Sequence, residues 1–175
     1  MPSYPSLHAL LDAVAQRRGA HPAVEDPPEG VISYRDLAAL SDRVRDRLAG
    51  LGVRPGDRVG LYLRKSVDAV AAIFGAMKAG AAYVPVDAGA PAWRCAYILN
   101  DCSVRVVVIE EEFRAAFAEE VEKLGGTMPA VIALDGAGGG RPLQAALDRL
   151  DGEGTAPLAT TVASAPDDLA YIMYT

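Results

Sequence analysis

The strongest constraint on folding lies between Arg58 and Leu134, where short runs rich in valine, isoleucine and alanine alternate with stretches of helical period. Residues 58–63, 82–86, 104–109 and 130–134 read as strands, and helices over 66–79, from Pro91 onward and near 113–124 lie between them. Strands separated by helices of this length require right-handed crossovers. The alternation therefore predicts an α/β fold with a largely parallel sheet flanked by helices on both faces.

The chain on either side is read by the same rules. Leu7, Leu10, Leu11 and Val14 recur at helical spacing, so residues 5–18 read as an amphipathic helix ended by Gly19. Ala23 and Val24 should meet Val31 and Ile32 in a hairpin across Asp26, Pro27, Pro28, Glu29 and Gly30. Ser33 three residues before Asp36 is a near capping box, followed by Leu37, Leu40, Val44, Leu48 and Leu51 on one helical face. Gly52 should end that helix in a left-handed cap. After a short helix over 142–150, residues 151–166 read as a surface connection. Residues 169–175 read as a buried strand that stops without a terminating loop, from which a truncated chain is expected.

Composition narrows the function. About half of the 175 residues are apolar and about a quarter charged, so no disulfide or metal staple is needed for a core. The 17 basic and 23 acidic residues give a net charge of −6, with the basic ones scattered, so nucleic acid is not an expected partner. No apolar run approaches the ~20 residues that span a bilayer, and residues 1–11 lack the pattern of a signal peptide, so no membrane partner and a cytoplasmic location are expected. Cys95 and Cys102 stand ~10 Å apart if both are helical, too far for a disulfide, and read as packing residues. His8 and His21 have no metal-ligand spacing around them, so no metal residue is assigned.

Candidate chemistry is sparse. Gly136, Gly138, Gly139 and Gly140 stand where a dinucleotide loop would, but the third fingerprint position is Arg141 and no ribose-binding acid follows. No catalytic triad is recognisable, and no catalytic residue is assigned. Glu110, Glu111 and Glu112 suit the positive end of the following helix better than acid–base work. Trp93, Tyr83 and Tyr97 lie in apolar patterns and are assigned to the core.

One string is more specific. Met77, Lys78, Ala79, Gly80, Ala81, Ala82, Tyr83, Val84, Pro85, Val86 and Asp87 closely resemble the Lys-Ala-Gly-Ala-Ala-Tyr-Val-Pro-Leu-Asp signature of nonribosomal peptide synthetase adenylation domains, members of the AMP-binding, adenylate-forming superfamily. Residues 32–37 resemble that family's Leu-Thr-Tyr-x-x-Leu opening, and 52–63 its Gly-Val-x-x-Gly-Asp-x-Val turn and strand. Asp87, Pro91, Arg94 and Tyr97 fit its next segment, with Ala88 replacing a usual proline. Residues 167–175 resemble the strand that enters its phosphate-binding loop, of which Thr175 is the first residue.

The resemblance implies the N-terminal subdomain of an adenylate-forming ligase over residues 1–175, truncated where the loop begins, with Thr175 as the one cofactor-binding residue. It implies ATP and Mg²⁺ as cofactors of the parent enzyme, none of them bound tightly by this chain. The parent would activate a carboxylate, with an amino acid the first choice, as an acyl-adenylate. It would then transfer the acyl group to a carrier protein or coenzyme A. The remainder of the ligase is an expected partner, the chain alone is expected to be inactive, and self-association is expected from its closing strand. An acyl-CoA or aryl-CoA ligase and a nonenzymatic flavodoxin-like binding module are the alternatives.

Overall fold

In the computed structural model, residues 6–27, 30–136, 141–152, 159–165 and 167–174 are described. Helix α1 (Leu7–Arg18) leads into a hairpin of β1 (Pro22–Asp26) and β2 (Gly30–Ser33), paired antiparallel with Val24 opposite Ile32. Helix α2 (Tyr34–Gly50) follows. The chain then alternates through β3 (Arg58–Tyr62), α3 (Val67–Lys78), β4 (Ala82–Pro85), α4 (Ala92–Asp101), β5 (Val106–Glu110), α5 (Glu111–Lys123), β6 (Ala130–Leu134) and α6 (Pro142–Gly152). The four central strands form one parallel sheet in the order β4-β3-β5-β6. This is the α/β architecture that the alternation predicts.

Side chains on a strand alternate between faces, and here the alternation divides the core. Val59, Leu61, Val106 and Val108 pack with α2, α3 and α6 on one face, while Tyr62, Val84, Val107 and Ile109 pack with α4 and α5 on the other. From Val106 to Ile109 both faces of β5 are fully buried, as its unbroken apolar run requires.

The helix ends carry their own chemistry. Ser33 Oγ accepts from the Asp36 amide at 3.2 Å, and Ser66 Oγ accepts from the Ala69 amide at 3.1 Å, capping α2 and α3. Gly52 and Gly80 then close these two helices at φ +81° and +74°. The amides of Gly52 and Val53 return to Ala49 and Leu48, and those of Gly80 and Ala81 to Met77 and Ala76.

Two segments depart from the sequence reading. Helix α1 buries His8 and Leu11 and leaves Leu7 and Leu10 largely exposed, and in this orientation Asp12 stands 2.8 Å from the buried Lys78 ammonium. The closing segment is an exposed edge instead of a buried strand. It makes one parallel bridge, Tyr83 to Tyr171, outside β4, with Leu169 61% and Met173 64% exposed. Its apolar run resembles that of β5, but among the described residues no further strand pairs with it beyond β4.

Candidate functional site

All four parallel strands point their carboxyl ends at one edge of the sheet. The strand order reverses between β3 and β5, β4 being added on one side of β3 and β5 then β6 on the other, and in such folds the crevice beyond that point is where ligands bind. A cleft of about 480 Å³ lies there, lined by Arg64, Lys65 and Ser66 after β3, Glu110 and Glu112 after β5, and Asp135 after β6.

Arg64 dominates the cleft. Its guanidinium pairs with both Glu110 and Glu112, its own amide donates to Glu110 Oε1 at 2.6 Å, and it lies 4.8 Å over the Phe113 ring. Phe113 stacks in turn on Tyr62 at 4.8 Å. Hydrogen bonding to Glu112 raises the Arg64 pKa, and the same bond lowers that of Glu112. Burial raises the pKa of the Tyr62 phenol, with a smaller contribution from the Cys95 thiol.

These contacts test the fit of a nucleotide. A helix N-terminus binds phosphate through free amides and a positive dipole. At α3 the Ala69 amide already serves Ser66, and the Val67 amide donates to Asp26 Oδ2 at 3.3 Å. At α6 the Leu143 amide donates to Asp68 Oδ2 at 2.8 Å. The cleft edge is acidic, and its guanidinium is engaged by two carboxylates. The described residues therefore do not fit a triphosphate. Among them, no group of three or more His, Cys, Asp or Glu is placed to hold a metal ion.

The assigned loop residue, Thr175, lies outside the described residues, as do Gly138, Gly139 and Gly140. What the structure does place is the segment leading to Thr175. The Tyr83 amide donates to the Ala170 carbonyl at 3.1 Å and the Ile172 amide donates to the Tyr83 carbonyl at 3.0 Å, so this segment runs beside β4 toward the same sheet edge. Tyr174 packs edge-on to Tyr97 at 6.1 Å and donates to Asp101 Oδ2 at 3.0 Å.

Several side chains stand apart from their assigned places. Trp93 is 58% and Tyr97 46% exposed on α4, so these two are surface aromatics instead of core; Tyr83 is half-buried against Tyr171. Glu110 and Glu112 serve Arg64, and Glu111 pairs with Arg114. Cys95 is buried and Cys102 half-buried, both as free thiols raised in pKa by burial. Sequence reasoning missed Lys78, the largest wholly buried side chain among the described residues. Its signal was a charge inside the apolar period of α3.

The pattern of the AMP-binding enzyme family matches residues 11–175. Phosphinothricin tripeptide synthetase PhsC of Streptomyces viridochromogenes is 34% identical over 170 residues, which is 97% of this chain but 14% of that protein. ATP-bound MatB from Rhodopseudomonas palustris superposes with a TM-score of 0.78 at 28% identity, covering 99% of this chain and 32% of MatB. The anthranilate CoA ligase AuaEII in complex with anthranoyl-AMP shares the fold at a TM-score of 0.82 and 24% identity, over 100% of this chain and 32% of its own. With the string from Met77 to Asp87 seating the closing segment beside β4, and the family pattern matched over nearly the full length, this chain belongs to the AMP-binding enzyme family.

Proposed function

We propose that this chain is the opening, frame-building part of an AMP-forming ligase that joins a carboxylate to AMP with release of pyrophosphate and then passes the acyl group to a thiol. The observation that carries this reading is the family match over residues 11–175, on a fold whose closing segment is led along β4 to the sheet edge. ATP and Mg²⁺ would be cofactors of the whole enzyme, with Thr175 among the residues that meet the nucleotide. The catalytic residues lie elsewhere in that enzyme.

An amino acid is the proposed carboxylate and a carrier protein the proposed acceptor, supported by the peptide-synthetase character of the Lys78 to Asp87 string and by the PhsC relative. A coenzyme A ligase shares the same frame and differs in substrate pocket and acceptor. The flavodoxin-like module is disfavoured, because the crevice that such a module would use is engaged by Arg64, Glu110 and Glu112. Exchange of labelled pyrophosphate into ATP by the complete gene product, across amino, aryl and fatty acids, tests the reading. Exchange dependent on one amino acid is expected; exchange with aryl or fatty acids alone moves the assignment to a coenzyme A ligase, and none with any acid overturns it.

A further inference from the structure

Lys78 is wholly buried on α3, and a buried ammonium keeps its charge only with partners. Its Nζ stands 2.8 Å from Asp12 Oδ1 on α1 and 2.8 Å from Asp42 Oδ1 on α2, and donates to the Ala38 carbonyl at 3.3 Å. Asp42 Oδ1 also accepts from Arg45 Nη1 at 2.8 Å, and Arg45 Nε and Nη2 reach Asp46 Oδ1 at 2.9 and 2.8 Å. The charges thus form one row: Asp12, Lys78, Asp42, Arg45, Asp46.

The far end of that row faces the strap of residues 159–165. Arg45 Nη1 donates to Thr161 Oγ1 at 2.8 Å, and the Ala159 amide donates to Asp46 Oδ1 at 2.9 Å. The Val162 amide donates to the Lys78 carbonyl at 2.9 Å. Two residues on, a β-carbon on Gly80 would stand 2.9 Å from Val162 Cγ1 and 3.2 Å from Pro55 Cα, so only glycine leaves room for the valine. Tyr83 then holds Ala170 and Ile172 through its backbone.

We propose that the charge row and residues 78–83 position the closing segment through two clamps. The charge row, the Lys78 carbonyl and the hollow at Gly80 hold residues 159–162, and the Tyr83 backbone holds residues 170–172. Arg45 and Thr161 are the positioning side chains. Isolated surface ion pairs hold little, but Arg45 is nearly buried and fixed by two donors on one carboxylate. Where the ligase reading holds, this is the segment by which the chain approaches the phosphate loop; the clamps themselves rest on these contacts.

Residue-resolved amide hydrogen exchange on the 175-residue chain tests the clamps, because local opening and global unfolding separate in that measurement. Thr161→Val, which keeps the shape and removes the hydroxyl, should speed exchange at the Ala159 and Val162 amides by about tenfold. Arg45→Met should speed it further, Thr161→Ser should restore the original rates, and the β5 amides of Val107 and Val108 should not change. Unaltered rates at Ala159 and Val162 would overturn the proposal, as would equal acceleration of these amides and those of β5. Should Arg45→Met fail to fold, Thr161→Val on its half-buried site still decides. No nucleotide enters the measurement, so a failure here leaves the ligase reading standing, and failure of pyrophosphate exchange leaves the clamps standing.

Discussion

Gly80 and Gly125 both adopt left-handed backbone, at φ +74° and +66°, but differ in what surrounds them. A β-carbon at Gly125 meets nothing within 4 Å, whereas one at Gly80 meets Val162 and Pro55. Gly125→Ala should therefore cost only the conformational penalty, about 1–2 kcal/mol, and Gly80→Ala about 2–4 kcal/mol once overpacking is added. Denaturant midpoints of the two variants check this difference; equal losses would count against the Gly80 hollow. His8 gives a second residue-scale expectation. Burial holds its pKa below 6.5, opposed by nearby Asp12 and assisted by Lys78. The unfolded chain then binds the proton more readily than the folded one. Stability from this group is present above pH 6.5 and falls as pH drops through 6.5 toward the folded value. His8→Gln should lose less thermal stability than the parent between pH 7.5 and 5.5, a window set by the direction of that shift around ~6.5. The identity of such residues was legible in the sequence and their partners were not: Lys78 stood in the signature string, but its contacts with Asp12 and Asp42 join three helices that no local spacing connects.

Elements were the most legible level, because strand and helix periods and their caps are local properties. The hairpin between residues 23–24 and 31–32, the Ser33 cap, the left-handed Gly52 and the alternation of parallel strands with helices all follow from patterns within a few residues. Ser66 caps α3, the helix that carries Lys78 and ends at Gly80. Ser66→Ala should cost about 1 kcal/mol and Ser66→Asp much less, read from urea midpoints. A cost for Ser66→Asp equal to that for alanine would contradict the cap. The closing segment departs from the sequence reading because an apolar run is the same string whether two faces are covered or one. Its burial is set by long-range neighbours. Trp93 and Tyr97 fail for a related reason, since their spacing on α4 describes a face without saying which way it turns.

At the scale of the molecule, the exposed edge at Leu169, Tyr171 and Met173 runs on to Tyr174, which packs against the surface aromatic Tyr97. An unpaired edge with apolar side chains is a template for association. Sedimentation of the chain alone should show concentration-dependent dimers or larger species, and Met173→Lys with Tyr171→Lys should shift it toward monomer. A monomer at high micromolar concentration would contradict that expectation. On the proposed reading these residues build and aim a frame whose nucleotide chemistry lies outside it. The cleft at the sheet edge already holds its own ion pairs at Arg64, Glu110 and Glu112, and the caps of α3 and α6 occupy amides that a phosphate would need. The most direct test is an ATP and Mg²⁺ titration of the 175-residue chain followed at the amides of residues 64–68 and 110–113. No saturable change is expected at those amides up to millimolar nucleotide; a saturable shift centred on them would show that this cleft itself binds the nucleotide.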